Sequence, residues 1–275
     1  MKIVADSSCN YLTLPGVDFV SVPMIIQTEQ KEYIDDENLD VPAFAAELNA
    51  YKGKSSTACP AVERWAEAFR TGDEIFVFPI SSGVSGSYNS AVQARRIVLE
   101  ETPAKKIHVF DSKTAGAENM LLIRRTVELM QAGRAFEEIA EAVEEYSRHT
   151  DLFFALESLH HFAQNGRISK AAAAAADLLG IRVIGCPSEK GELTLLTKCR
   201  GAKKTIATMV DEMQKRGYCG GRVEIGDTCN QEGAQTLAGA IREKFPQAEI
   251  TFHAMRGLCS YYAQMGGVLM GFETN

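Results

Sequence analysis

The chain has 275 residues, of which 45% are hydrophobic and 24% charged, and its formal net charge at pH 7 is −7. This composition is too apolar for a disordered protein, and the acidic balance excludes a basic nucleic-acid-binding face or a polybasic membrane-surface protein. The sequence has no run of about 18 apolar residues that would span a bilayer, and its length suits one large domain or two small ones.

The first half alternates short apolar runs with segments of helical period, which predicts parallel strands joined by helices. Four strands and five helices are expected. The strands are predicted at 2–5, 19–23, 74–80 and 106–110, and the helices at 41–50, 62–71, 87–100, 117–131 and 136–149.

The second half has apolar runs that are too closely spaced for crossover helices, with a hairpin loop at 187–191. This spacing predicts a mixed or antiparallel sheet with helices on one face. The fold prediction is therefore α/β, with an N-terminal parallel-sheet domain over 1–150 and a second, α+β domain over 151–275. The strands of the second half are expected at 152–155, 182–187, 192–196, 222–225, 249–253 and 268–272, and its helices at 171–176, 202–216 and 232–244.

The cysteine pattern is typical of a protein in a reducing compartment. Seven are scattered without a C-x-x-C pair, and the amino-terminal segment lacks a secretory signal pattern, so we expect reduced thiols in a cytoplasmic protein. The Cys/His spacing of a zinc site is missing, and the adjacent His160 and His161 cannot both face one site from a helix. No metal and no resident cofactor are expected.

Residues 76–91, FVFPISSGVSGSYNSA, form the most informative segment, because a buried strand runs into a Ser/Gly loop that opens a long helix. Free amides at the start of a helix, with hydroxyl groups beside them, bind anions. The loop lacks the Gly-Lys-Ser/Thr of a P-loop, a full G-x-G-x-x-G, and the G-x-S-x-G of a nucleophile elbow. An anion-binding loop is favoured over the alternative, in which these residues are helix-capping serines and turn glycines.

Three other strand ends are polar. Residues 53–60 read GKSSTACP and are predicted to form a turn, in which Thr57 either caps the next helix or donates to a ligand; spacing favours the cap. Residues 6–8 and 111–114 are the others. Four polar strand ends in one sheet predict a site at its carboxyl edge.

Two basic segments stand out from the acidic background. Arg167 lies in a turn at 165–170, and residues 198–204 place Lys198, Arg200, Lys203 and Lys204 within seven positions. Solvated faces, or an ion pair for Arg167, would explain them; otherwise they suit an acidic partner or a phosphate. No acid–base pair or nucleophile–histidine arrangement is marked out. The residues alone therefore predict an anion-binding α/β protein.

With these segments assembled, the sequence resembles the DegV family, which includes the fatty-acid-binding subunits of bacterial fatty acid kinase. The resemblance covers nearly the whole chain. It rests on VADSS at 4–8, STACP at 56–60, SSGVSGSYNSA at 81–91, VFDS at 109–112, NGRIS at 165–169 and KCRGAKK at 198–204.

The resemblance implies a protein that holds one long-chain fatty acid, such as palmitate, stearate or oleate, in an apolar tunnel between two domains. The carboxylate would lie against Thr57 and Ser85, with Ser82 and Gly86 in the same loop. The carrier would not itself be an enzyme, but would present the carboxyl group to a separate ATP-dependent fatty acid kinase. The cations Arg167, Arg200 and Lys203 would then face the partner or a phosphate.

Two positions depart from the family pattern. Ala58 stands where the family turn Thr-Ser-x-Pro has Ser, and Tyr262 stands where members often carry His. Tyr262 can still donate to a carboxylate, so it is a candidate ligand-binding residue. Two other functions stay open: a small-molecule phosphotransferase or hydrolase that uses the Ser-rich loop, and a lipid-responsive regulator.

Overall fold

The computed structural model describes residues 1–169, 171, 173 and 180–275. Its strands are β1 Lys2–Asp6, β2 Asp18–Val22, β3 Ile25–Thr28, β4 Glu32–Ile34, β5 Ser55–Ala58, β6 Glu74–Phe78, β7 Lys106–Val109, β8 Thr150–Leu156, β9 Ile181–Pro187, β10 Leu193–Arg200, β11 Arg222–Asp227, β12 Glu249–Ala254 and β13 Val268–Glu273. Its helices are α1 Val41–Ala50, α2 Val62–Arg70, α3 Ser87–Glu101, α4 Ala117–Gln131, α5 Phe136–Tyr146, α6 His160–Gln164, α7 Ala202–Lys215, α8 Gln231–Lys244 and α9 Gly257–Ala263.

The first sheet has the strand order β2-β1-β6-β7, and all of its neighbouring strands pair in parallel. Helices cover both faces, and β6 is accordingly apolar from Ile75 to Phe78: Phe76 and Phe78 pack with α4 and α5, whereas Ile75 and Val77 pack with α2 and α3. This confirms the predicted parallel-sheet α/β part of the fold.

The six-stranded sheet has the order β10-β9-β8-β13-β11-β12, in which β11 and β12 are parallel and the other neighbours are antiparallel. This confirms the mixed sheet. Helices α7 and α8 pack on one face. The expectation of helices on only that face is wrong, because α4 from the first half packs against β8, β11 and β13 on the other. Gly271 permits this approach, since a Cβ there would meet the backbone of Ala117 and Glu118.

A third sheet, β4-β3-β5, is antiparallel and was not predicted. Its strands have three or four residues each, too few to show a period-2 pattern. The predicted turn at 53–60 is therefore wrong over β5, where pairing with β3 decides the conformation. The cap assigned to Thr57 is also wrong: Ala61 is the N-cap residue of α2 and makes no side-chain capping bond.

Short helices were also missed. Helices α6 and α9 have five and seven residues, and neither is long enough to show a helical period by itself. The helix predicted at 171–176 lies outside the described residues except for Ala171 and Ala173. Within the described part of the chain, none of the helices has the length and apolarity needed to cross a bilayer.

Candidate functional site

A cavity of about 320 Å³ lies between the Ser/Gly loop, β5 and α9 on one side and the six-stranded sheet on the other. Its volume is at the lower end of the range for small-molecule sites. Most of its wall is hydrocarbon. The apolar lining includes Met24, Ile80, Val84, Leu152, Phe154, Leu156, Phe162, Leu193, Leu258, Ala263 and Leu269.

The polar part of the lining is one contiguous patch. Thr57 Oγ1 is 2.8 Å from Tyr262 Oη, and both side chains line the cavity together with Ser85, Gly86 and Arg167. The end of β5 and the loop are in contact, since a Cβ on Gly86 would lie 3.3 Å from Cys59 Sγ. The structure thus brings together five of the eight predicted site residues, although they are separated by up to 205 positions in the sequence.

Arg167 closes this patch from the second half of the chain. Its Nε donates to the carbonyl of Val84 at 2.9 Å, and its Nη1 donates to the carbonyl of Asn165 at 2.5 Å. The guanidinium therefore ties the turn after α6 to the Ser/Gly loop.

The buried carboxylate of Asp6 holds the Ser/Gly loop at both ends. It accepts from Ile80 N at 2.8 Å and from Ser87 Oγ at 2.6 Å, while Ser8 Oγ donates to its other oxygen at 2.5 Å. Burial raises the pKa of Asp6 in spite of these donors. The polar strand end at 6–8 thus positions the site rather than lining it, a role that the sequence signal of a polar turn did not specify.

Ser81 and Ser82 also hold the loop in place. Ser81 Oγ donates to the carbonyl of Gly191 at 2.8 Å, and Ser82 Oγ donates to Asp111 Oδ2 at 2.6 Å. Gly83 lies so close to the 190–191 backbone that a Cβ would overlap the carbonyl of Lys190. The predicted ligand-binding residue Ser82 is not part of the cavity lining, because its hydroxyl faces the end of β7.

Helix α9 carries one wall of the cavity and is anchored by Asp35. This fully buried carboxylate accepts from Gly257 N at 2.7 Å and Leu258 N at 2.8 Å, where it compensates two free amides of the helix start. This anchor has no signature in the sequence, because Asp35 lies 222 residues before Gly257.

Two adjacent tyrosines on α9 face β5. Tyr261 Oη is 2.8 Å from Ser55 Oγ, and Tyr262 Oη bonds Thr57 two positions further along the strand. Burial raises the pKa of both phenols, so both are neutral at pH 7. His161 stacks on the ring of Tyr261 at a centroid distance of 4.1 Å, and burial lowers the pKa of its imidazole.

The remaining predicted cations lie elsewhere. Arg200, at the end of β10, and Lys203, in the first turn of α7, are exposed and do not line the cavity. The opposite end of β10 reaches the cavity through Leu193. No group of three His, Cys, Asp or Glu side chains is placed to hold a metal ion in residues 1–169 and 180–275.

Comparison with known proteins places this architecture in a described family. The family model described as "Uncharacterised protein, DegV family" matches residues 1–272. A DegV domain-containing protein of Streptococcus pneumoniae is 42% identical over 99% of this chain and 98% of its own length.

Solved structures agree with the sequence match. The S. pneumoniae Fatty Acid Kinase (Fak) B3 protein, loaded with linoleic acid, superposes with a TM-score of 0.97 at 42% identity, covering 100% of this chain and 99% of that one. A DegV family protein from Eubacterium eligens, loaded with heptadecanoic acid, gives the same TM-score and coverage at 41% identity.

Proposed function

This chain belongs to the DegV family, and from that premise we propose that it binds one long-chain fatty acid in the cavity and presents the carboxyl group to a partner. The observation that carries the proposal is the cavity itself: a hydrocarbon wall that meets a small patch of hydroxyl groups. The relatives crystallised with linoleic and heptadecanoic acids support it, at 42% and 41% identity.

The acyl chain supplies most of the affinity. Each buried methylene contributes about 0.8 kcal/mol, so a palmitate, stearate or oleate chain outweighs any head-group contact. The phenylalanine and leucine side chains of β8, with Leu193 and Leu269, provide the apolar surface for it. We propose that the 1–150 and 151–275 parts act as two domains that close over this chain.

The head group lies at the hydroxyl patch. Thr57 and Ser85 donate to the carboxylate, Gly86 lets the ligand approach the loop backbone, and Tyr262 completes the patch. Neutral donors fix the orientation of a carboxylate through hydrogen bonds, each worth roughly 1.5–3 kcal/mol when the acceptor is charged. Ala58 leaves the turn with one hydroxyl fewer than the family pattern has.

The protein is proposed to be a carrier, not an enzyme. Asp6 and Asp111, the carboxylates bonded to the loop, accept from Ser87 and Ser82, and Ser85 Oγ accepts from the amide of Ser87 at 3.2 Å. In the described part of the chain, the carboxylates bonded to the loop thus contact Ser87 and Ser82 and not Ser85, which supports a carrier over an enzyme that would use Ser85 as its nucleophile.

The proposed partner is a separate ATP-dependent fatty acid kinase in the cytoplasm. Arg167 at the edge of the cavity would face the transferred phosphate, and the exposed Arg200 and Lys203 would contact the kinase. The seven free cysteines suit a reducing compartment.

Solvent extraction of the purified protein followed by mass spectrometry tests the proposal. We expect one equivalent of long-chain fatty acid, and binding of added palmitate, stearate or oleate after delipidation. A protein without extracted lipid that also binds none of the three would contradict the proposal.

Variants separate the carrier from the other two functions. If the wild-type protein turns over a small-molecule substrate without the kinase, and Ser85→Ala abolishes this activity but keeps the bound lipid, the result would favour the phosphotransferase or hydrolase. Lipid-dependent capture of a transcriptional or signalling protein, without acyl phosphate formation when kinase and ATP are added, would favour the regulator.

A further inference from the structure

A second crevice, of about 710 Å³, lies outside the carboxyl ends of β11 and β12 and shares no lining residue with the fatty-acid cavity. These two strands are parallel neighbours, and α8 connects them. Asp227, the last residue of β11, and Ala254, the last residue of β12, both line the crevice. Open α/β sheets bind ligands at this kind of edge, and the proposed carrier function leaves it unused.

The turn from β11 into α8 is held in place by backbone hydrogen bonds. Thr228 N donates to the carbonyl of Gly267 at 3.1 Å, and the Thr228 carbonyl accepts from Gly266 N at 3.0 Å. At the end of β12, Met255 N donates to the carbonyl of Asp227 at 3.0 Å. The crevice is therefore preformed, and a ligand does not have to order the turn in order to bind.

The side chain of Thr228 carries an unused polar group. Thr228 lines the crevice and is only 2% exposed, yet its Oγ1 makes no hydrogen bond to any of the described residues. A buried hydroxyl group without a partner destabilises the folded state. A ligand with an acceptor atom would satisfy this hydroxyl, so Thr228 favours an acceptor group at the inner end of the turn.

Two helices begin at the crevice. Gln231 is the first residue of α8, Val41 is the first residue of α1, and both line the crevice. The amides in the first turn of a helix have no intrahelical acceptor, and their partial positive charge attracts a negative group. The side chain of Asn230 caps only Gly233 N of α8. The amides of the first two positions of α8 therefore suit a carboxylate of the ligand.

A carboxylate of the protein stands beside these donors. Asp227 Oδ1 accepts from Asn230 N at 2.7 Å, and its Oδ2 accepts no hydrogen bond from the residues that the structure describes. His253 also lines the crevice, but its Nε2 is bonded to the buried carboxylate of Glu224. The charge of Asp227 repels a simple anion and suits a ligand that carries a cation next to its own carboxylate. The apolar part of the lining includes Val41, Pro42, Ala234, Phe252 and Met255.

We propose that this crevice is a second binding site, for an α-amino acid with an apolar side chain. The ligand's carboxylate accepts from the first amides of α8 and from Thr228 Oγ1, and its ammonium group donates to Asp227. The side chain of the ligand packs against Phe252 and Met255. The site goes beyond the proposed carrier function and does not depend on it.

Isothermal titration of the full-length protein with L-leucine, L-isoleucine, L-valine, L-methionine and L-phenylalanine tests the site. At least one of the five should bind with one-to-one stoichiometry. Analogues that lack one of the two charges, 4-methylpentanoate and 3-methylbutylamine in the case of leucine, should bind at least about tenfold more weakly. Excess oleate in the cell keeps 4-methylpentanoate out of the fatty-acid cavity.

Two variants connect binding to the named groups. Thr228→Val should weaken amino-acid binding at least about tenfold, because it removes a donor to a charged acceptor. Since the hydroxyl has no partner among the described residues, the ligand-free variant should unfold at the same temperature as the wild type or a higher one. Asp227→Asn should remove the preference for the amino acid over its carboxylate analogue.

The matched control is Thr236→Val, which removes an exposed hydroxyl from α8 outside the crevice and should change the Kd for the amino acid less than about twofold. Thr228→Val should also leave oleate binding unchanged.

Three results would overturn the inference. The first is that none of the five amino acids binds, including the case in which uridine or adenosine binds instead. The second is that 4-methylpentanoate binds as tightly as leucine, which would identify a site for simple anions. The third is unchanged amino-acid binding in Thr228→Val. A wild-type protein that binds an amino acid but no oleate would contradict the proposed function and support the second site, so the two failures are distinguishable.

Discussion

The two sides of the cavity are built from different kinds of sequence. On one side, Thr57, Ser85 and Gly86 come from short polar segments at the ends of β5 and β6. On the other, leucine and phenylalanine side chains come from β8, β10 and β13 of the six-stranded sheet. The polar side can be predicted from the sequence because its polar groups are concentrated in a few adjacent residues. The apolar side is assembled from alternate positions of distant strands, each of which looks like an ordinary buried strand.

The largest effect is expected from a charge placed in the apolar wall. Leu193→Asp on β10 should weaken oleate binding by at least about 100-fold, because the bound acyl chain would bury an unpaired carboxylate at this half-buried position, which costs several kcal/mol. The control is Leu195→Asp on the same strand, whose side chain packs in the same apolar cluster but does not line the cavity. Isothermal titration of the delipidated variants measures both, and equal losses would contradict the assignment of the wall.

The contact between α4 and β8 joins the two sides of the cavity, and its contribution to the free energy of unfolding should depend on pH. Glu118 on α4 is buried, and its Oε1 accepts from Thr150 Oγ1 on β8 at 2.7 Å. Burial raises its pKa from 4.5 to about 7, so the folded protein holds a proton that the unfolded chain releases. Glu118 therefore contributes up to about 3 kcal/mol to the free energy of unfolding below pH 4.5, and this contribution is lost as the pH rises through 7.

Urea unfolding between pH 5 and 8 measures this loss. Glu118→Gln should be more stable than the wild type at pH 8 and nearly equal to it at pH 5, because the amide stays neutral. The exposed Glu141→Gln serves as the control. Identical pH profiles for Glu118→Gln and the wild type would rule out this account of the joint.

Substitutions on the head-group side of the cavity should change the Kd for oleate less than a charge in the apolar wall does. Thr57→Val and Ser85→Ala should each weaken oleate binding at least about tenfold, the low end of the value of one hydrogen bond to a charged acceptor. Ser82→Ala should change the Kd less than twofold, because its hydroxyl is bonded to Asp111. A loss in Ser82→Ala as large as that in Ser85→Ala would show that the loop acts by its shape and not through Ser85.

The smallest binding effect is expected from the exposed cations. Replacing Arg200 and Lys203 with Ala should leave the Kd for oleate within twofold, yet slow acyl phosphate formation with the kinase several-fold at low salt, since surface charges act on association. Arg242→Ala, which removes an exposed cation from α8, is the control. A weakened oleate Kd in the Arg200 and Lys203 variant would place these cations at the head group instead.

The sequence found the elements with strong periodicity and missed those without it. Helices of nine or more residues, such as α4 and α8, were predicted almost to their ends. The strands of the third sheet and the helices α6 and α9 are too short for a pattern, so tertiary pairing alone fixes them. This omission mattered for the site, because β5 and α9 carry Thr57 and Tyr262.

The sequence by itself determined the α/β class, the parallel sheet, the mixed sheet and the polar loop, since each depends on patterns within about fifteen residues. Only the tertiary structure decided which polar residues meet. It brought Thr57 to Tyr262 across 205 positions, turned Ser82 away to Asp111, and used Asp6 and Asp35 as anchors. The −7 charge and 45% apolar content were compatible with a lipid carrier, but the cavity exists because the two sides fold against each other.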